Sequence, residues 1–242
     1  PEQMRSVRGS KIGFIFQDPM TSLNPLFTVE QQLKETIHAN MKVSDQEAYQ
    51  RSLDLMNQVG IPQPENRLKQ YPHQFSGGMR QRVVIAIALA GEPDLIIADE
   101  PTTALDVSIQ DQILGLIRDL CIKKNVGCML VTHDMGVVSN VTDRVAVMYR
   151  GDLVEFGPTA KVLGTPEHPY THSLISAVPR SDRKLDRFPL VSYIEEAHEM
   201  EPLDVKNHWL GQSQDHRDYT GPLLNVENVN LRFTTKAVSY TH

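Results

Sequence analysis

Hydrophobic positions along the chain change period several times, and each change predicts an element. Lys11 to Phe16 (KIGFIF) alternates and runs into Gln17-Asp-Pro, which reads as a strand entering a loop. Thr28 to Ala39 has helical spacing. Ser44 and Glu47 form a capping-box pattern before a second helix, which carries Leu53, Met56 and Val59 and stops at Gly60. Met79 to Ala90 predicts a helix so rich in Val, Ile and Ala that it must be buried on most sides.

Asp94 to Asp99 (DLIIAD) is a short apolar run ending in acids, the pattern of a parallel strand buried on both faces. A helix from Ser108 to Lys124 follows, with Lys123 and Lys124 at its negative end. Gly127 to Thr132 reads as a second buried strand, and Arg144 to Met148 with Asp152 to Phe156 as a hairpin turning at Arg150-Gly151. Strand and helix in alternation imply a parallel sheet covered by helices. After Gly157 the texture becomes polar and proline-containing, and alternation resumes only at Leu223 to Phe233.

Composition narrows the function classes. The 242 residues hold 24 Lys and Arg against 30 Asp and Glu, a net charge of −6, with no basic stripe of the kind a phosphate backbone requires. No apolar run approaches the roughly 20 residues of a membrane helix. Cys121 and Cys128 flank a polar turn and read as core thiols in a reducing compartment. The chain opens on Pro1 and shows no signal-peptide pattern, so it reads as a piece of a longer polypeptide.

Four stretches carry candidate chemistry. Leu95-Ile-Ile-Ala-Asp99-Glu100 delivers two acids at a strand's carboxyl end, where open parallel sheets bind ligands. Asp99 suits a hard cation such as Mg2+, and Glu100 suits the orientation or deprotonation of an attacking water; a strand ending in solvated acids is the alternative. Ser76-Gly77-Gly78-Met79-Arg80-Gln81-Arg82 opens a buried helix with exposed N–H groups that suit a phosphate, or forms a plain helix cap. His133 ends the Gly127 strand, and Gln17 ends the first one; each alone fits a structural role as well as a phosphate or metal contact.

In the order Gln17, SGGMRQR, DLIIADEP, Ala104-Leu105-Asp106 and His133, these stretches resemble the downstream motif series of the ATP-binding cassette (ABC) ATPases, over residues 8 to 178. The resemblance implies an α/β, P-loop NTPase-like parallel sheet with helices, incomplete here, with a helical signature subdomain and an irregular C-terminal appendage. It implies catalytic roles for Glu100, His133 and Gln17, nucleotide contacts from Ser76, Gly77, Gly78, Met79, Gln81 and Asp106, and Mg2+ contacts from Asp99 and Gln17. ATP and Mg2+ are the implied cofactors. Met79 departs from the Gln usual at that place.

That variant, with FQDPMTSLNPLFTV, YPHQ and EHPYTHSLISAVP, is similar to the dipeptide, oligopeptide, nickel and glutathione importers, especially those with two cassettes on one polypeptide. By that likeness 1–22 and 71–157 are a partial catalytic core, 23–95 a helical insertion that includes the signature, 158–180 an appendage, 181–222 a linker and 223–242 the first strand of a second cassette. No cysteine follows Cys128, so no iron–sulfur site is expected in the appendage.

The implied protein is a bacterial ATPase at the cytoplasmic face of the inner membrane. Its implied partners are transmembrane permease subunits, a second cassette in the same chain or a partner subunit, and, indirectly, an extracytoplasmic solute-binding protein, with no nucleic acid. A non-transport cassette ATPase and a non-catalytic regulatory cassette are the alternatives. No G-x-x-x-x-G-K-[ST] occurs in the chain, so by itself it is expected neither to bind ATP tightly nor to hydrolyse it. The strand that accompanies that loop in the family belongs to the core sheet, so a gap in the sheet, an exposed apolar edge or a rearranged partner filling it is also expected.

Overall fold

The computed structural model describes residues 7–103 and 105–176, all within one compact unit, Pro1–Ile194. The predicted linker at 181–222, the strand at 223–242 and the last residues of the appendage lie outside the described residues. The chain begins with strand β1 (Ile12–Ile15) and passes through five helices: α1 (Pro19–Ser22), α2 (Val29–Asn40), α3 (Asp45–Gln58), α4 (Pro64–Leu68) and, after a 3-10 turn at Pro72–Gln74, α5 (Gly77–Leu89). Strand β2 (Leu95–Asp99), helix α6 (Val107–Lys124), strand β3 (Gly127–Val131) and helix α7 (Met135–Val141) follow. The hairpin β4 (Arg144–Tyr149) and β5 (Asp152–Pro158) leads to α8 (Thr159–Gly164) and α9 (Pro169–Ser176).

Strands β1, β2 and β3 form one parallel sheet in that order, with Ile15 opposite Ala98 and Asp99 opposite Val131. Two crossovers, one long and helical, the other through α6, make the parallel arrangement possible. The predicted hairpin forms a separate antiparallel sheet. Arg150 and Gly151 both take positive φ, 50° and 93°, which gives the two-residue turn the twist its flanking strands need.

The helix starts follow from their caps. Thr28 and Gln31 close a full capping box on α2, with the Thr28 Oγ1 accepting from the Gln31 N–H at 3.3 Å and the Gln31 Oε1 accepting from the Thr28 N–H at 2.8 Å. Ser44 accepts from the Glu47 N–H at 3.2 Å, so the side chain-to-backbone half of the predicted box forms on α3. Asn125, in the left-handed region at φ 54°, ends α6.

One continuous core joins Ile15, Ile96 and Ala98 of the sheet to Leu33, Ile37, Met56, Ile85, Leu89, Ile113 and Ile117 of the helices. Each such side chain, fully buried, contributes roughly 1.5–3 kcal/mol. Helix α5 is apolar nearly all round because helices surround it, as its composition predicts.

Two strand expectations need correction. In β2 the buried side chains are Ile96 and Ala98, while Leu95, Ile97 and Asp99 are half-buried, so one face is packed and the other partly open. In β3 only Leu130 is half-buried and the rest is exposed, because β3 is the edge of the three-stranded sheet. Phe14, Phe16, Met129 and Val131 are exposed, and the register sets Phe14 beside Ile97 and Ile97 beside Met129 on one uncovered face of the sheet. Apolarity alone cannot distinguish a central strand from an edge strand with one uncovered face.

Candidate functional site

The site is built where strands β1, β2 and β3 end, and Glu100 is its centre. Glu100 follows β2 directly, and its N–H donates to the Val131 carbonyl at 2.9 Å, carrying the β2–β3 ladder one residue further. Its φ of 43° lies in the left-handed region, which a glutamate adopts only where its surroundings compel it. Here the Thr103 N–H donates to the Glu100 carbonyl at 3.2 Å and closes a turn over it.

Three side chains converge on the carboxylate. Gln17 Nε2 donates to Oε2 at 3.0 Å, Thr103 Oγ1 donates to Oε2 at 2.8 Å, and His133 Nδ1 lies 2.8 Å from Oε1. They arrive from the end of β1, the turn after β2 and the end of β3, and Gln17 lies 83 positions from Glu100 in sequence. Asp18 and Asp134 set the neighbouring backbone by capping α1 and α7, the first from Met20 N–H at 2.8 Å and the second from Gly136 N–H at 2.8 Å. Gln17 and His133 are thereby delivered from fixed turns.

The electrostatics follow from these bonds. Hydrogen bonding to His133 first, and to Thr103 second, holds the Glu100 carboxyl below its ordinary value, and the same Glu100 contact raises His133. The Glu100 side chain is 24% exposed and the His133 side chain 78%, so the pair is wet enough for solvent to screen it.

Asp99, half-buried, ends β2 beside this cluster. Asp106 is exposed at the N-cap position of α6 and caps nothing with its side chain, leaving its carboxylate available. Two residues that periodicity did not single out complete the turn between them. Thr103 grips Glu100, and Gln110 Nε2 donates to the carbonyls of Thr102 and Leu105 at 3.2 and 3.1 Å. Thr103 lies in a polar run without periodicity and Gln110 is a polar position of α6, so only the fold reveals their bonds.

Ser76, Gly77, Gly78 and Met79 form the first turn of α5. Ser76 Oγ accepts from the Met79 N–H at 3.4 Å, and the N–H groups of Gly77 and Gly78 begin the helix, where no earlier turn supplies them a carbonyl. A methyl on Gly78 would lie 3.0 Å from Ile109 Cγ2, so side chains here would press on α6. Among the described residues no hydrogen bond or ion pair joins this turn to Glu100; its link to the Gln17 segment is the contact of Arg80 Nη1 with Met20 Sδ.

Gln81 departs from the expectation. It is 1% exposed within the core, and neither its amide oxygen nor its nitrogen has a hydrogen-bond partner. It lies on the inward face of α5, away from the exposed Ser76 and Gly77, so a nucleotide contact from Gln81 is not what this geometry provides.

Residues 2–103 match the family model described as ABC transporter, and residues 154–201 match the one described as oligopeptide/dipeptide transporter, C-terminal region. The dipeptide transport ATP-binding protein DppD of Bacillus subtilis (strain 168) is 55% identical over 181 residues, covering 75% of this chain and 54% of DppD. The glutathione import ATP-binding protein GsiA of Escherichia coli (strain K12) is 46% identical over 240 residues, covering 97% of this chain and 37% of GsiA. The chain thus spans about half the length, or less, of these relatives.

Solved structures agree on the fold. The ATP-binding cassette MJ0796 bound to ADP and Pi superposes with a TM-score of 0.57 at 29% identity, covering 65% of this chain and 67% of that one. CbiO1 from Clostridium perfringens, part of the ABC transporter complex cbiONQ, gives 0.59 at 30% identity, with 69% and 62% coverage. The sheet and helices described above are therefore of the ABC ATPase, P-loop NTPase-like type.

Proposed function

Because the chain belongs to the ABC transporter ATP-binding family, we propose that it supplies the acid, glutamine, histidine and signature parts of an ATP-hydrolysing importer subunit. One observation carries the reading: the Glu100 carboxylate is gripped at once from the ends of two other strand segments and a turn, at the carboxyl end of a parallel sheet. A carboxylate so oriented and held anionic is equipped to accept a proton from water.

Glu100 is the general base in this reading. His133, carrying a proton while bound to Glu100, can turn that donor toward a phosphate oxygen, and Gln17 couples the base to the helices that follow it. Ser76, Gly77, Gly78 and Met79 offer N–H and hydroxyl donors to the phosphates of a nucleotide on an opposing cassette, and Asp106 borders the same surface.

Magnesium fits the residues present. Gln17 donates to Glu100 through its nitrogen, which leaves its amide oxygen for a hard cation, and Asp99 adds a carboxylate. Among the described residues no cluster of three or more acids, histidines or cysteines could hold a metal alone, as suits an ion that takes one or two protein oxygens and completes its shell with phosphate and water. When bound, the ion neutralises charge developing on the phosphates.

We further propose the bacterial cytoplasmic membrane face as the site of action, with transmembrane permease subunits, a second cassette and, indirectly, an extracytoplasmic solute-binding protein as partners. Peptides or glutathione are the solutes, by likeness to DppD and GsiA. Among the described residues no helix is long and apolar enough to cross a membrane, so membrane attachment of this segment falls to the helices between β1 and β2 docking on permease subunits. The core comprises 1–22 and 71–157, with 23–95 as insertion and 158–180 as appendage.

The test is Glu100→Gln in the longer polypeptide that joins this chain to a phosphate-binding loop. Nucleotide should remain bound and steady-state hydrolysis should fall by roughly 100-fold or more. Hydrolysis at the unmodified rate sinks the reading.

A further inference from the structure

Gln110 belongs to the first turns of α6, and its side chain is directed at the backbone that precedes the helix. Side chains in a helix lean back toward its N-terminus, so a long polar residue this early in α6 overhangs the helix start. The Gln110 Nε2 donates to the Thr102 carbonyl at 3.2 Å and to the Leu105 carbonyl at 3.1 Å, so one amide nitrogen bridges two carbonyls of one short turn. The Gln110 N–H donates to the Asp106 carbonyl at 2.9 Å, which fixes the base of the side chain.

That turn meets both halves of the site. On one side Thr103 Oγ1 donates to Glu100 Oε2 at 2.8 Å. On the other, Leu105 packs beside the first turn of α5, where a Cβ placed on Gly77 would lie 3.6 Å from Leu105 Cδ2. The backbone bonds of the turn itself, Thr103 N–H to the Glu100 carbonyl at 3.2 Å and Leu105 N–H to the Thr102 carbonyl at 3.1 Å, are at the long end of the ordinary range. Thr103 and Asp106 are exposed, so burial adds little to hold them.

We propose that Gln110 is a positioning residue for Glu100: it holds the turn in the shape that lets Thr103 grip the carboxylate while Leu105 stays packed against Gly77. Resting on the reading of Glu100 as the base, this assignment adds the residue that keeps one of its donors in place. A glutamine that only steadied the start of α6 would contribute to the stability of the fold and have no effect on the proton affinity of a carboxylate ten positions earlier in sequence. The two roles therefore separate in a measurement on Glu100.

Gln110→Met is the discriminating change, because Met keeps the side-chain length and the helix propensity and has no N–H to donate. The two bonds are only part-buried, so water can reach the freed carbonyls and the chain stays folded. Gln110→Leu is a second donor-free variant and should behave in the same way.

The 242-residue chain, labelled with carbon-13 at its glutamate carboxyls, is titrated by NMR in four forms: native, Gln110→Met, Thr103→Val and the double variant. In Gln110→Met the Glu100 carboxyl should titrate roughly half a pH unit above native, the scale of one neutral hydrogen bond lost beside water. The double variant should titrate with Thr103→Val and no higher, because Gln110 acts through Thr103. A native Glu100 midpoint in both donor-free variants overturns the proposal whatever their urea midpoints, and so does a double variant whose shift is the sum of the two single shifts. The titration involves no hydrolysis, so full turnover by Glu100→Gln in the longer polypeptide would remove the base assignment and leave the Gln110 result to be read separately.

Discussion

Glu100 Oε1 and His133 Nδ1 lie 2.8 Å apart at the ends of neighbouring parallel strands, 33 residues apart in sequence. Their pairing depends on pH at both edges. His133 is raised above its ordinary 6.5, so its contribution is complete below 6.5 and is lost as pH rises through the raised value. Glu100 is lowered below 4.5, so its contribution is complete above 4.5 and is lost as pH falls through the lowered value. The pair is therefore fully charged between 4.5 and 6.5. Imidazole NMR resonances of His133 should titrate above the ordinary value in the native chain and return toward it in Glu100→Gln. An unchanged midpoint contradicts the contact.

Thr103→Val removes one donor from the Glu100 carboxylate while keeping the side-chain volume. The carboxyl carbon resonance of Glu100 should then titrate at higher pH than in the native chain, and Thr103→Ser should restore it, because the donor to Oε2 returns. A Val variant that titrates like the native chain would show that Thr103 does not orient the base.

Gly13→Ala tests how β1 meets α5. A Cβ at Gly13 would lie 2.4 Å from the Ala88 carbonyl oxygen, a backbone atom that cannot swing aside. A loss of about 1–3 kcal/mol follows from overpacking, seen as a lower urea midpoint. Gly151→Ala is a different case, since nothing lies within 4 Å and only its φ of 93° resists the change.

Thr28→Ala removes the hydroxyl that closes the α2 box. Loss of about 1 kcal/mol is expected, with Thr28→Ser close to native, by urea denaturation. Equal stability of the Ala variant would mean that the cap contributes nothing to the folded state.

The chain lacks the lysine and backbone cradle that take a nucleotide's phosphates. A fluorescent ATP analogue titrated into it should not saturate at concentrations on the order of micromolar, where complete cassettes are expected to bind. Saturation in that range would assign phosphate binding to the residues present here.

Much of this was legible in order and spacing. The apolar run before Asp99, the serine and glycines before Met79, and the two-residue turn at Arg150-Gly151 announce themselves locally, since strand burial, helix capping and tight turns are set by neighbours a few residues away. Gln17, Glu100 and His133 were also individually visible. Local pattern cannot tell the half-buried Met79 from the fully buried Gln81 two positions later, because helix rotation relative to the core depends on what packs around α5.

By itself the sequence determined the identity and order of the motifs and the parallel character of the sheet, because these depend on residue type, periodicity and connection length. Only the tertiary structure decided that β3 is an exposed edge, that Thr103 joins Gln17 and His133 on one carboxylate, and that Gln81 is buried in the core. Those are relations between segments distant in sequence or differently oriented in space, and the packing of whole elements sets them.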